Sequence, residues 1–119
     1  MTSILIIDDE PAMAPLVGMA VDDFGVTVYC VGTFQAAVEF ASTNKLAVLL
    51  LDLALGEEDG MALLPRLRAV PSLETVPIVA FSVHHSREAE AMSRGMDGFV
   101  KKPFTLATLR STLSRYIQV

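Results

Sequence analysis

The sequence has no tryptophan, one cysteine, no long hydrophobic run and no block of basic residues. Cys30 has no second cysteine with which to form an internal disulfide, so we expect a reducing, cytoplasmic setting. The apolar runs are too short to span a bilayer, and the first residues lack the basic start of a signal peptide. A net charge of −5 without a basic cluster argues against direct nucleic-acid binding by this chain.

The chain does contain enough apolar material for one packed domain. Its 119 residues are close to the commonest domain size, and 52% of them are hydrophobic while only 19% are charged. This composition argues against disorder. Because we find no repeat, low-complexity segment or internal linker, we expect residues 1–119 to form a single domain.

Five short apolar segments predict β-strands, and helical segments alternate with them. The expected strands are residues 3–7, 26–31, 46–51, 78–81 and 98–100. The third, LAVLLL, is apolar throughout, as in a strand buried on both faces. The expected helices are residues 11–24, 33–43, 61–69, 86–93 and a last one after Thr105. This alternation predicts an α/β fold with an open, doubly wound parallel sheet, since five units are too few for an eight-stranded barrel.

Local signals indicate where the helices begin and which faces they bury. Thr33 and Thr105 are expected N-caps, and Ser86 is expected to cap the fourth helix. Helical spacing predicts inward faces made of Met13, Leu16, Val17, Ala20 and Phe24 in the first helix, and of Leu106, Leu109, Leu113 and Ile117 in the last. The fourth helix is rich in charge and poor in apolar bulk, so we expect it to be mobile.

Polar side chains follow four of the expected strands. Asp8 and Asp9 follow the first, Asp52 the third, Ser82 the fourth and Lys102 the fifth. The carboxyl ends of parallel strands share one edge, where open α/β sheets bind their ligands. Each residue taken alone is also explained as a helix cap, a turn residue or part of a solvated loop. Their joint order and spacing favour a common cleft.

The chemistry of such a cleft points to phosphate. Three neighbouring carboxylates repel each other, and a hard divalent cation relieves that repulsion. Oxygen ligands without histidine or cysteine favour Mg²⁺ over zinc. Lys102 would add a positive charge suited to phosphate, and Ser82 a hydroxyl donor. Because an aspartate can act as a nucleophile beside such groups, the set predicts transfer of a phosphoryl group to Asp52.

The motifs that contain these residues resemble the CheY-like receiver domain of two-component response regulators. They are ILIIDDEP at 4–11, LLLDLAL at 49–55 with Asp59–Gly60, PIVAFS at 77–82 and GFVKKPF at 98–104. The resemblance covers essentially the whole chain. It implies a flavodoxin-like (βα)5 fold with strand order 2-1-3-4-5 and a bacterial phosphorelay switch rather than an enzyme.

The resemblance also implies a role for each residue of the cleft. Asp52 would accept the phosphoryl group from a phosphohistidine on a sensor histidine kinase or phosphotransfer protein. Asp9, Asp52 and the backbone carbonyl of Ala54 would bind Mg²⁺, while Asp8 would act largely through a metal-bound water. Lys102, which directly precedes a proline, would contact the phosphoryl group.

Two further positions would form the switch. The hydroxyl of Ser82 would move toward the phosphoryl group, and the ring of Phe99 would turn inward. Through them the surface of the fourth helix, fifth strand and fifth helix would change and regulate a downstream protein or a missing output domain. That surface allows a weak homodimer as well as a monomer.

Three positions depart from the family pattern. Gly56 stands where proline is common, and with Glu57–Glu58 it is expected to make the loop more flexible. Val83 is larger than the residue the family prefers there, and we expect it to crowd the phosphoryl pocket. His84 either orients a water that attacks the phosphoryl group or is simply solvated.

Two other functions remain open at this stage. One is a magnesium-dependent phosphohydrolase with Asp52 as nucleophile, although Ala54 stands where such enzymes usually have a second carboxylate. The other is a pseudo-receiver, a docking scaffold that never turns over phosphate, and Val83 is its main support. Because no output domain follows Val119, we expect either a stand-alone regulator or the receiver portion of a longer protein.

Overall fold

The computed structural model describes residues 2–56 and 58–117, so Glu57 of the expected flexible loop lies outside the described residues. Five parallel strands form the central sheet: β1 (Ser3–Ile7), β2 (Thr27–Val31), β3 (Leu46–Asp52), β4 (Ile78–Ser82) and β5 (Gly98–Lys101). They lie in the order β2-β1-β3-β4-β5. The expected flavodoxin-like α/β fold is therefore confirmed.

Five helices connect or follow these strands: α1 (Met13–Ala20), α2 (Phe34–Thr43), α3 (Leu63–Arg68), α4 (Glu88–Ser93) and α5 (Leu106–Leu113). Short 3-10 turns, Gly60–Ala62 and His85–Arg87, lead into α3 and α4. After β3 the chain also forms a small antiparallel ribbon from Ala54–Leu55 and Glu58–Asp59. Within the described part of the chain, no helix is long and apolar enough to cross a membrane.

The sheet is buried because alternate residues of each inner strand face different helices. On β1, Leu5 and Ile7 point into a core shared with α2, α3 and α4, whereas Ile4 and Ile6 point into a core shared with α1 and α5. The continuous apolar run of β3 divides in the same way. Helices thus cover both faces, and the polar residues that end the strands are left at the sheet edge.

The expected caps at Thr33 and Thr105 are confirmed, but the cap at Ser86 is wrong. Thr33 Oγ1 accepts from the Ala36 N–H at 3.1 Å, and Thr105 Oγ1 accepts from the Thr108 N–H at 3.0 Å. Ser86 instead lies inside the 3-10 turn, and the α-helix begins only at Glu88. The side chains on either side of Ser86 bind neighbouring loops, and these contacts hold the turn in its tighter form.

The first helix is shorter than expected, and two inward assignments are wrong. It ends at Ala20 rather than continuing to residue 24, because Asp22 and Asp23 would place negative charge at the negative end of the helix dipole. Leu16 and Leu106 are each 39% exposed, since they lie at the edges of their helical stripes. Leu109 and Leu113 of α5 are buried as expected, and Ile117 is also buried although it lies beyond the end of the helix at Leu113.

Strand register places the predicted site residues at one edge. Asp52, the last residue of β3, pairs with Phe81 on β4, and Ser82 pairs with Lys101 on β5. Lys102 follows directly, and its N–H donates to the Ser82 carbonyl oxygen at 2.9 Å. The ends of three adjacent strands therefore meet around Asp52.

Candidate functional site

Three aspartates form an acidic cluster at the carboxyl edge of the sheet. Asp8, Asp9 and Asp52 each contribute a carboxylate oxygen, and these oxygens lie within 4.8 Å of one another. Asp8 and Asp52 are only 5% and 6% exposed, whereas Asp9 is open to solvent. They converge because β1 and β3 are neighbours in the sheet, as the expected strand order requires.

Burial of the cluster has an electrostatic consequence at Asp8. The pKa of Asp8 is raised from 3.8 to about 6, mainly because burial desolvates the carboxylate and in smaller part because the charge of Asp52 is close. The Glu10 N–H opposes this rise in pKa by donating to Asp8 Oδ1 at 2.9 Å, and the charge of Lys102 opposes it as well. The Glu10 N–H and the Lys102 charge therefore do not fully compensate the negative charge of the cleft.

Lys102 faces this charge, and its neighbour Lys101 does not. The Lys102 ammonium lies 3.7 Å from Asp52 Oδ2 and 4.5 Å from the centre of the Phe81 ring. Lys101 is more than half exposed, and its ammonium lies 3.5 Å from a Glu88 carboxylate oxygen. Side chains alternate along the strand, so only one of the two lysines reaches the cleft.

Hydrogen bonds from the following loops orient the other groups. The Ala54 N–H donates to Asp52 Oδ1 at 3.0 Å, which fixes one carboxylate oxygen. The Ser82 hydroxyl is buried, and its oxygen accepts from the His84 N–H at 2.9 Å. His84 is exposed and approaches the site through its backbone.

The resulting cleft has a volume of about 350 Å³. It is lined by the three aspartates, Ser82 and Lys102, together with Glu10, Ala54, Gly56 and Val83. A second groove of about 430 Å³ opens beside it, between the start of α1 and the loop after β5. Of the sequence-predicted site residues, only Phe99 lies away from the cleft. It is half-buried on β5 and packs against the core beneath α2, α3 and α4.

The structure shows the surroundings of Gly56 and Val83, two of the positions that depart from the family pattern. Gly56 has a φ of 56°, in the left-handed region that favours glycine, and a Cβ there would lie 3.3 Å from Asp9 Oδ2. Glycine is therefore favoured at position 56, because any other residue would be strained in this backbone conformation. Val83 is 59% exposed at the rim, where the cleft and the apolar groove meet.

Sequence reasoning assigned no structural reason to Gly60 and missed the partners of Asp59 and His85. A Cβ on Gly60 would overlap the Asp52 carbonyl oxygen and lie 2.8 Å from Leu53 Cα, so the loop passes too close for a side chain. Asp59 makes a two-pronged ion pair with Arg87, and the His85 ring contacts the Lys102 carbonyl oxygen at 2.7 Å. These partners are far apart along the chain, and no sequence pattern links them.

Chemically, the cleft combines a set of hard oxygen ligands with a place for an anion. Three carboxylates whose oxygens lie within 4.8 Å of one another suit a small divalent cation. The Lys102 ammonium lies 3.7 Å from Asp52 Oδ2, and Ser82 lines the same cleft, so an anion bound beside Asp52 would have a positive charge and a hydroxyl group nearby.

The chain matches the family model described as the response regulator receiver domain over residues 4–114. It is 30% identical over 115 residues to the KDP operon transcriptional regulatory protein KdpE of Escherichia coli, covering 95% of this chain and 50% of that protein. It is 31% identical over 116 residues to the autoinducer 1 sensor kinase/phosphatase LuxN of Vibrio harveyi, covering 97% of this chain and 13% of that protein. The chain thus spans half or less of either relative.

Solved structures show the same architecture. The receiver domain of a sensor histidine kinase from Pseudomonas aeruginosa, which has a magnesium ion coordinated in its active-site cleft, superposes with a TM-score of 0.78 at 26% identity. That match covers 98% of this chain and 97% of the other. The chemotaxis regulator CheY4 of Vibrio cholerae matches in fold, with a TM-score of 0.82 at 24% identity and coverage of 98% of both chains.

Proposed function

The chain belongs to the family of response regulator receiver domains, whose general function is a phosphorylation switch in two-component systems, and we propose that Asp52 is its phosphoryl acceptor. The observation that carries the proposal is the position of the Asp52 carboxylate. It is almost buried at the end of the central strand, 3.7 Å from the Lys102 ammonium and beside the carboxylates of Asp8 and Asp9.

The donor would be a phosphohistidine on a sensor histidine kinase or phosphotransfer protein. An Asp52 carboxylate oxygen attacks phosphorus, the new O–P bond forms as the N–P bond breaks, and the leaving imidazole nitrogen keeps the electron pair. The Ala54 N–H holds Oδ1, which leaves Oδ2 to face Lys102 and act as the nucleophile. Lys102 stabilises charge on the transferring group, and Ser82 supplies a hydroxyl donor nearby.

The acidic cluster fits Mg²⁺, which we include as the cofactor. We assign the metal to Asp9, Asp52 and the carbonyl oxygen of Ala54, with Asp8 acting largely through a metal-bound water. The fit rests on the all-oxygen donor set and on the raised pKa of Asp8, whose buried carboxylate lacks sufficient compensating charge. When bound, the cation would neutralise the carboxylates and the phosphate oxygens that they would otherwise repel.

The switch would act through the two residues beyond the acceptor. Phosphorylation adds about −1.5 to −2 charges, and Ser82 would move to hydrogen-bond the new oxygens. Phe99, half-buried beside α4, would move into the space that Ser82 leaves. The α4–β5–α5 surface would then change shape and alter its binding to a downstream protein or output domain. We propose that residues 1–119 act as one receiver domain in the cytoplasm, without binding nucleic acid directly, as a monomer or weak homodimer.

Intact-mass spectrometry tests the acceptor and its metal requirement. The protein is incubated with Mg²⁺ and a small acyl phosphate, beside Asp52→Asn and a matched Asp59→Asn control in the same loop. We expect a gain of one phosphoryl mass in the wild type and in the control, and none with Asp52→Asn or with a chelator. A gain that survives Asp52→Asn would contradict the assignment.

The same experiment separates the alternatives. A scaffold that never turns over phosphate would gain no mass from any donor, including a phosphorylated histidine kinase domain. A phosphohydrolase would release phosphate from the acyl phosphate in many turnovers without accumulating the phosphorylated chain. Ala54, at the position of a second catalytic carboxylate, disfavours this last outcome.

A further inference from the structure

The 3-10 turn His85–Arg87 lies between the loops that border the proposed phosphorylation site. On one side, the Arg87 guanidinium donates to both carboxylate oxygens of Asp59 at 2.9 and 3.0 Å. Asp59 belongs to the segment that follows Asp52, and its Oδ1 also accepts from the Met61 N–H at 3.0 Å. One end of the turn is therefore tied to the loop after the acceptor strand.

The other end of the turn is tied to the loop that contains Lys102. The His85 Nε2 atom lies 2.7 Å from the Lys102 carbonyl oxygen. A carbonyl oxygen can only accept, so Nε2 must have the hydrogen in this contact. The distance lies at the short end of the range for a nitrogen donor and a carbonyl oxygen.

This contact completes the fixation of the Lys102 backbone. The Lys102 N–H donates to the Ser82 carbonyl oxygen at 2.9 Å, and its carbonyl oxygen accepts from His85. Both backbone polar groups of the lysine are thus held by strand β4 and the turn that follows it. Its side chain must extend from this point to within 3.7 Å of Asp52 Oδ2, so a displaced backbone displaces the ammonium.

We propose that His85 is a positioning residue for Lys102, an inference that rests on the function proposed above. By donating to the Lys102 carbonyl, His85 holds the ammonium where the transferring phosphoryl group develops charge. It touches neither donor nor acceptor, and it also links the loop of the switch hydroxyl to the loop of the lysine. Loss of one hydrogen bond of this kind should slow phosphorylation of Asp52 about three- to ten-fold.

The first test compares phosphorylation rates of three variants of the full chain with acyl phosphate and Mg²⁺. We expect His85→Ala to be slower by that factor and His85→Gln, whose amide N–H can donate to the same carbonyl, to recover most of the rate. Ser86→Ala, at an exposed neighbouring position, should match the wild type. A wild-type rate for His85→Ala, or no recovery in His85→Gln, would overturn the proposal.

The second test needs no phosphoryl donor and so separates this inference from the proposed function. Amide hydrogen exchange at Lys102 should be faster in His85→Ala, near the wild-type rate in His85→Gln, and unchanged in Ser86→Ala. Unchanged exchange in His85→Ala would reject the positioning role, even if the protein is phosphorylated normally. If no donor modifies the wild type, the proposed function fails, and the exchange result still decides whether His85 holds the lysine.

Discussion

Replacing Asp8 by asparagine should stabilise the metal-free protein at neutral pH and weaken its binding of Mg²⁺. The carboxylate of Asp8 is 5% exposed and lies beside that of Asp52, and its pKa rises to about 6 mainly through burial. Asparagine removes the charge but keeps an oxygen for the Glu10 N–H, which donates to Oδ1 at 2.9 Å. The substitution therefore isolates the cost of the buried charge.

The direction of the pH dependence follows from the raised pKa. Between pH 4 and pH 6 the folded protein binds a proton at Asp8 that the unfolded chain has already released, so stability falls as pH rises through this window. Below about pH 4 both states are protonated, and wild type and Asp8→Asn should be equally stable. Above about pH 6 the full difference in stability between Asp8→Asn and the wild type should appear.

The stability that Asp8→Asn gains at neutral pH has an upper limit. A pKa change from 3.8 to about 6 corresponds to about 3 kcal/mol. The cleft opens to solvent, which reduces the desolvation cost of the charged carboxylate and screens its repulsion by Asp52, so we expect about 1–2 kcal/mol at pH 7. With an unfolding slope of about 1.5 kcal/mol per molar urea, the midpoint should rise by about 1 M.

Urea unfolding at pH 4, 5, 6 and 7, with and without Mg²⁺, measures this effect. Asp22→Asn is the matched control, because it removes one exposed charge away from the cleft. Excess Mg²⁺ should stabilise the wild type by about 2.7 kcal/mol at a hundred times its dissociation constant, and Asp8→Asn less. The reasoning is refuted if Asp8→Asn gains no more than Asp22→Asn at pH 7, or if its gain is the same at pH 4.

Two further predictions concern the loop after β3 and the choice of lysine. Gly60→Ala should destabilise the fold by about 3 kcal/mol or more in urea unfolding, because the added Cβ would overlap the backbone of Asp52. Gly18→Ala is the control: its added Cβ would have no atom within 4 Å, so this variant should be as stable as the wild type or slightly more stable. Equal stability of the two variants would contradict the close approach. Lys102→Met should slow phosphorylation of Asp52 about a hundred-fold, while Lys101→Met should leave it nearly unchanged by intact-mass kinetics. Comparable losses in both would mean that the ammonium facing Asp52 is not the one that acts.

Much of the fold could be predicted because its signals are local. The apolar run of residues 46–51, the threonine caps and the alternation of strands and helices all depend on near neighbours along the chain. The polar residues that follow the strands were predicted to share one cleft, and the structure places Asp8, Asp9, Asp52, Ser82 and Lys102 there. Their roles in phosphoryl transfer stay predictions. The order of the strands came from the family resemblance, since strand patterns alone do not determine which strands pair.

The wrong expectations have a common origin. Helical spacing assigned Leu16 and Leu106 to the buried face, but packing covers only the middle of each apolar stripe, and the edge residues stay 39% exposed. Serine is a common helix cap, yet Ser86 lies within a 3-10 turn, and its neighbours His85 and Arg87 contact other loops. In each case a local preference was weaker than the contacts made by neighbouring elements.

The sequence by itself determined the element order, the two-sided core and the acidic and basic residues at the strand ends, because periodicity and hydrogen-bonding type are properties of short segments. Only the tertiary structure decided which groups touch. The pairing of Arg87 with Asp59, the hydrogen bond from His85 to Lys102 and the backbone approach at Gly60 join segments that are distant in the chain. Such contacts depend on the relative placement of packed strands and loops, which no local pattern specifies.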